Sequence, residues 1–191
     1  MVELGEVCSF IRGPFGGSLK KEIFVESGIK IYEQKNAIKN NFELGNYFID
    51  EEKFEEMRRF EVFPNDLIIS CSGTMGKIAI APENIKKGII NQALLKLTPI
   101  KKKALPLFIK VWLESGQIQS KYFMDTSGAA IQNVASVKSL KEIPFPKIGA
   151  EVQQEIVARI EREQSLVNSN KELIQIFEAK IKDEINKLWE V

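Results

Sequence analysis

Residues able to do chemistry are few in this chain, and their spacing excludes most catalytic classes. No histidine occurs among the 191 residues, which removes Ser–His and Cys–His nucleophilic pairs and every imidazole metal site. The two cysteines, Cys8 and Cys71, are far apart and form neither a redox pair nor a metal-type pair. Gly73-Thr74-Met75-Gly76-Lys77 has the residue types of a phosphate-binding loop but not its spacing. That loop needs four residues between its glycines and a hydroxyl after its lysine; here Ile78 follows Lys77. The segment reads as a tight turn between two strands. No G-x-G-x-x-G run marks a dinucleotide site. No Asn/Asp-Pro-Pro-Tyr/Phe run marks a methyl-transferring site. The triplets Glu33-Gln34-Lys35 and Glu51-Glu52-Lys53 are of a kind that arises freely in a chain with 28% charged residues. The expectation is a protein with no enzymatic activity of its own, no metal and no cofactor.

The elements that would position any remaining polar groups fall into two parts of unlike texture. The break lies at Ile143-Pro144-Phe145-Pro146-Lys147-Ile148-Gly149, where two prolines push their preceding residues away from helix. This divides the chain into 1–146 and 147–191, one ordinary domain plus an appendage. Upstream, short apolar runs, most of them rich in β-branched and aromatic residues, predict strands at Lys30–Tyr32, Asp66–Ser70, Lys77–Ile80 and Ala93–Leu97. Glycine-containing turns punctuate them at Gly13–Gly17, Ser72–Gly76 and Lys87-Gly88. Short helices are expected near Glu51–Phe60 and Pro106–Met124, the second with Phe108, Trp112, Ile118 and Phe123 toward the core. The fold class is α+β: a globular body with a twisted β-sheet and short helices, then a long C-terminal α-helix that pairs in a coiled coil.

The helix carries the sharper pattern. From Ala150 onward there is no glycine or proline, and Ile160, Val167, Ile174, Ile181 and Leu188 recur every seven residues. Ile156 and Phe177 occupy the second seam position. A strict seven-residue repeat is the signature of helices that supercoil around a partner. Glu163, Asn170 and Glu184 interrupt the second seam, where buried polar groups cost stability but fix register or orientation. Leu166, Leu173 and Ile185 widen the stripe. The plainer alternative is one long helix folded against its own domain.

Net charge is +1, but it divides unevenly. The stretch from Ala150 holds nine acidic and six basic residues, so it is about −3 and the preceding body about +4. A mildly basic body can meet phosphates if its lysines share a face. The acidic opening Met1–Glu6 lacks the apolar core of a signal peptide, and no apolar run approaches the roughly 18 residues of a membrane span. With two lone thiols, these features lead to the expectation of a cytoplasmic protein.

Several segments, in order, resemble type I restriction–modification specificity subunits. Leu4-Gly5-Glu6-Val7 and Arg12-Gly13 resemble the family's opening strand and loop. Pro64 to Lys77, which contains Asn65-Asp66-Leu67-Ile68-Ile69-Ser70 and Ser72-Gly73-Thr74-Met75-Gly76, resembles its central element, with Asn65 where glycine is usual. Ile90-Asn91-Gln92-Ala93 resembles its "N-Q" strand entry. Ser127–Val134 and Leu140–Pro146 resemble the stretch closing the recognition domain, and Glu151–Glu161 the start of the family's conserved helix. The usual subunit carries two recognition domains and two such helices; this chain carries one of each, with no internal repeat.

The resemblance implies a DNA recognition subunit with a target-recognition domain over 1–146, and one domain with one helix fits a half-sized subunit that dimerises, a fragment, or the recognition end of a methyltransferase fusion. Residues 147–191 would be a helix for dimerisation and methyltransferase docking. Its partners would be double-stranded DNA, an adenine methyltransferase subunit, a restriction (translocase/nuclease) subunit and a second copy of itself. Candidate DNA contacts on expected loops are Arg12, Lys20, Lys21, Lys35, Asn36, Ser72, Thr74, Lys77, Asn91, Gln92, Gln132 and Asn133. Arginine and lysine suit guanine edges, and asparagine and glutamine suit adenine. The partner face of the helix would be Ile156, Ile160, Val167, Ile174, Phe177, Ile181 and Leu188. The alternative is an interaction scaffold or decoy that kept the fold without reading DNA.

Overall fold

The computed structural model describes residues 1–100, 103–123 and 136–189. In chain order, β1 (Val2–Glu3) and a 3-10 turn at Leu4–Glu6 precede β2 (Cys8–Arg12), β3 (Ile29–Tyr32) and α1 (Gln34–Lys39). Then come β4 (Phe48–Ile49), α2 (Glu51–Met57), β5 (Leu67–Ser70), β6 (Ile78–Ile80), β7 (Gly88–Ile90) and β8 (Leu94–Pro99). The chain continues through α3 (Pro106–Glu114), α4 (Gly116–Ile118), α5 (Val137–Lys141), β9 (Pro144–Phe145) and α6 (Ala150–Trp189). It divides into two compact units, Met1–Ala150 and Glu151–Val191.

Among the described residues, the strands of the first unit form three sheets. An antiparallel sheet runs β2-β8-β5-β6; a mixed sheet runs β4-β3-β7, with β3 and β7 parallel; β1 pairs with β9. β5 reads Leu-Ile-Ile-Ser and is buried along its whole length, as a continuous apolar run in a central strand should be. Ile31, Tyr32 and Ile49 of the mixed sheet share one apolar core with Ile68 and Leu94 of the antiparallel sheet. Phe54 and Met57 of α2 belong to the same core. The Asp50 side chain caps α2 by accepting from the Lys53 N–H at 2.8 Å.

Three sequence expectations are corrected. Lys87-Gly88 is not a turn, because Gly88 begins β7. A Cβ there would lie 2.5 Å from the Lys30 carbonyl oxygen and 2.7 Å from the Tyr32 ring, so close approach of β3 requires glycine. The helix expected over Pro106–Met124 stops at Glu114, since Ser115 takes an extended backbone. It restarts as α4 and a π-helical turn, Gln119–Phe123. Trp112 is half-buried rather than in the core, its indole N–H donating to the Pro144 carbonyl at 2.8 Å, while Ile109 and Leu113 fill the interior beside Phe108.

Asn65 adopts φ +69°, the left-handed region that asparagine tolerates better than most residues. This gives a physical reason for the glycine that the related element carries at that position. Behind it, Asp66 accepts from the Phe63 N–H at 2.8 Å and from the Thr98 hydroxyl at 2.5 Å. The Lys96 ammonium lies 3.5 Å from the same carboxylate, and both side chains are almost fully buried.

The second unit is the 40-residue helix α6, roughly 60 Å long at about 1.5 Å per residue. Every described position from Glu161 to Trp189 is exposed, including Val167, Ile174, Phe177, Ile181 and Leu188 of the seven-residue repeat.

Candidate nucleic-acid interface

Strand register gathers the expected DNA-contacting loops at one end of the body. Arg12 at the end of β2 pairs with Leu95, Ser70 at the end of β5 pairs with Leu94, and Ile69 pairs with Ile78 at the start of β6. The segments 13–18, 71–77 and 91–93 therefore leave the antiparallel sheet at the same edge. The mixed sheet joins them there. Tyr32 pairs in parallel with Ile90, and Asn91 directly follows, its N–H donating to the Tyr32 carbonyl at 2.9 Å. The start of α1 thus arrives beside the others.

Hydrogen bonds tie the loops together. The Gly13 N–H donates to the Leu94 carbonyl at 2.9 Å, and the Cys71 N–H to the Ala93 carbonyl at 2.9 Å. A Cβ at Gly13 would lie 1.9 Å from the Asn91 carbonyl oxygen, so only glycine passes there. The Gln34 side-chain amide donates to the Ser72 carbonyl, and Gln119 donates to the Gly76 carbonyl at 3.2 Å. Inside the turn, the Ser70 hydroxyl accepts from the Lys77 N–H at 3.0 Å. Gly73 and Gly76 both take positive φ, which explains this turn's glycines without any phosphate-binding role.

The candidates sort into groups on this frame. Arg12, Ser72, Thr74, Lys77 and Gln92 are exposed at the convergent end. Lys35 is also exposed there, held 2.7 Å from Glu33 and 5.8 Å from the Tyr47 ring centroid. Asn91 is half-buried and its side-chain Oδ1 accepts from the Ala93 N–H at 3.0 Å, leaving its NH₂ as the end able to meet a base. Lys20 and Lys21 are exposed at the 3-10 turn Lys21–Ile23, and no side-chain contact among the described residues ties them to the cluster. Gln132 and Asn133 lie outside the described residues.

Asn36 requires correction. It lies on α1 rather than on a loop and is fully buried. Its amide donates to the Asn41 and Leu44 carbonyls at 2.9 and 2.8 Å and accepts from the Glu33 N–H at 2.7 Å. With both ends of the amide engaged inside the protein, it holds the 40–44 loop and is not free to read a base.

The sequence reading also missed residues that the fold brings to this end. A groove of about 750 Å³ beside β2 is bordered by Arg12, Phe15, Arg59, Phe60 and Gln92, among others. The Arg59 guanidinium lies 4.8 Å from the Phe60 ring centroid. The basic pair Arg58-Arg59 after α2 was the available signal. Its position beside β2 depends on tertiary packing that no local pattern shows.

The two thiols are poor nucleophiles. Burial pushes Cys8 up to about 12 and Cys71 up to about 11, the latter despite a hydrogen bond with Arg12 that favours the thiolate. Among the described residues no group of three acidic or thiol side chains could hold a metal ion, and no helix is long and apolar enough to cross a membrane. The arrangement offers hydrogen-bond donors and cations on a fixed frame.

Body and helix together define a class, and solved structures share it. A chain from a structure of a type I R-M system, described for its complex assembly and conformational transition, superposes with TM-score 0.72 at 20% identity, over 95% of this chain and 42% of that one. The HsdS subunit from Thermoanaerobacter tengcongensis gives TM-score 0.64 at 21% identity, over 88% and 38% of the two chains. The S subunit from M. genitalium gives 0.55 at 19% identity, over 91% and 41%.

The family model of the type I restriction modification DNA specificity domain matches residues 1–182, and the chain belongs to that family. It is 31% identical over 109 residues to the Escherichia coli type I restriction enzyme EcoBI specificity subunit, a match covering 56% of this chain and 22% of that subunit. The chain spans less than half the length of the solved chains it matches.

Proposed function

We propose that the body reads one half of an interrupted DNA target and that the helix carries the assembly contacts. Convergence of Arg12, Ser72, Thr74, Lys77, Asn91 and Gln92 at one end of two hydrogen-bonded sheets is the observation that carries this reading. Arg12 has the donors for guanine O6 and N7, and the amides of Asn91 and Gln92 suit adenine N6 and N7. Lys77 and Lys35, with Lys20 and Lys21 further out, neutralise phosphates and supply most of the affinity. Gln132 and Asn133 stay in the proposed set through the resemblance of their segment to the closing part of the recognition domain. A cationic rim of this kind supports reading of DNA over a scaffold or decoy that lost it.

The exposed stripe of α6 pairs with a second copy and docks an adenine methyltransferase, which brings the restriction subunit. Two half-site readers related by a two-fold axis match a split, inverted-repeat target, and the helix pair sets the gap. The chain contributes recognition, and the methyltransferase contributes the chemistry.

The test is co-purification with an adenine methyltransferase of the same system, followed by methylation mapping of DNA exposed to the pair. Methylation confined to a split adenine motif is the expected result. A stable complex that methylates without sequence preference would overturn DNA reading and leave the scaffold role.

A further inference from the structure

Phe15 lies at the tip of the loop that follows Arg12, and its side chain is 93% exposed, more than any other large apolar side chain described in the molecule. Such exposure is ordinary in a floppy segment, but this loop is pinned on both sides. Gly13 is wedged against Asn91 and bonded to Leu94, and Pro14 is buried. After the tip, the Ser18 N–H donates to the Phe15 carbonyl at 2.9 Å and Leu19 enters the core. The backbone thus holds a phenyl ring out in water. Among the described residues, no atom beyond the adjacent residues lies within 4 Å of a Cβ position at Gly17, so that flank of the loop is open.

The surroundings are those of an anion-facing surface. Phe15 borders the groove shared with Arg12, Arg59, Lys53 and Gln92, and the carboxylate of Glu56 there is already paired with Lys53 at 2.5 Å. A phenyl ring has no hydrogen-bonding group; at a base edge it can meet only the thymine methyl, and otherwise toward nucleic acid it stacks or fills a gap between bases. Apolar side chains inserted at a base step unstack it and kink the duplex, and cations beside them hold the flanking phosphates.

From this geometry we propose that Phe15 is a wedge that enters the base stack of bound DNA from the major-groove side, at the step beside the bases facing Arg12 and Gln92. The proposal rests on the DNA-reading assignment above and adds a second mode of discrimination to it. Pyrimidine–purine steps unstack most readily, so the wedge favours targets with such a step at its point of entry, without any hydrogen bond to those bases.

The test starts with selection from a duplex library of randomised sequence by the full chain in complex with the methyltransferase. 2-Aminopurine is then placed in turn at each position of the selected half-site. A rise in fluorescence on binding, confined to one step, is expected with the wild-type chain. Phe15→Ala should abolish that rise and weaken binding by about ten- to a hundred-fold, the range set by loss of one base–aromatic stack. Phe15→Trp should restore both. Unchanged affinity and unchanged fluorescence in Phe15→Ala would overturn the proposal. Loss of methyltransferase co-purification with DNA binding intact would also overturn it, and would assign the ring to a protein contact. Failure of the wild-type complex to enrich any sequence would overturn the DNA-reading assignment itself, and the wedge with it.

Discussion

The body and the helix treat their apolar residues in opposite ways. In the body, Ile31, Ile68, Ile89, Leu94 and their neighbours are sealed between two sheets, and what remains outside is mostly polar loop. In α6, Val167, Ile174, Phe177, Ile181 and Leu188 stand in water along one seam. Each exposed aliphatic or aromatic side chain forgoes about 1.5–3 kcal/mol available from burial. A contiguous apolar stripe on this scale is the mark of a surface made for another chain. The body therefore buries its own apolar residues, whereas the helix leaves exposed the stripe that the proposed assembly would cover.

Four experiments break or sharpen that contrast. The largest effect should come from within the body. Asp66→Ala leaves the buried Lys96 ammonium without its carboxylate and frees the Phe63–Asp66 turn, and should cost about 3–5 kcal/mol in urea unfolding of the chain. Adding Lys96→Met should recover part of the loss, since no unpaired charge remains. A change below about 1 kcal/mol would show that the pair is incidental to the body's stability.

Next, Ile174→Asp with Phe177→Asp should weaken self-association at least a hundred-fold by sedimentation, from desolvating two carboxylates against an apolar seam. The urea midpoint of the body should stay in place. A body that unfolds earlier in this variant would mean that the two regions are not independent.

A smaller effect is expected at the loops. Lys77→Ala should lower DNA affinity several-fold for all sequences alike and reduce the slope of log K against log salt by about one. Affinity lost for one sequence only would move Lys77 from phosphates to bases.

The smallest effect is a rate. Both thiols are buried in the body and raised in pKa, and the helix has none. Thiol labelling at neutral pH therefore reports opening of the body alone. It should be slow, and unaltered by the seam substitutions within about two-fold. Fast labelling of Cys71 without denaturant would show that the loop end opens locally.

The helix was legible because its information is local: a seven-residue repeat unbroken by glycine or proline needs nothing else. The strands Leu67–Ser70, Ile78–Ile80 and Leu94–Pro99 were legible for the same reason, as short aliphatic runs between turn residues. The six-residue α1 was not, because it has little apolar periodicity and depends on the buried Asn36 amide bonding the loop beyond it. Gly88 was misread because a glycine required by a neighbouring strand looks, in sequence, like one required by a turn. The candidate site was half legible. Side-chain type marked Arg12, Lys77 and Gln92, but only the pairing of both β2 and β5 with β8, distant in sequence, puts them at one end. Phe15 carried no signal, since a single phenylalanine in a mixed sequence reads as core.

The connections at the convergent end differ in how freely they can vary between descendants of a common gene. Asn91-Gln92-Ala93 is the whole joint between β7 in one sheet and β8 in the other; it is bonded to Tyr32 and Cys71, and the adjoining Leu94 is bonded to Gly13. An insertion there would shift the register of both sheets together. The Ser72–Lys77 turn and the Gly13–Ser18 loop carry no such burden beyond their anchor residues. Drift toward new targets should therefore accumulate as changes of length and composition in those two loops, while the three-residue joint keeps its length and passes from one lineage to the next as an inherited constant.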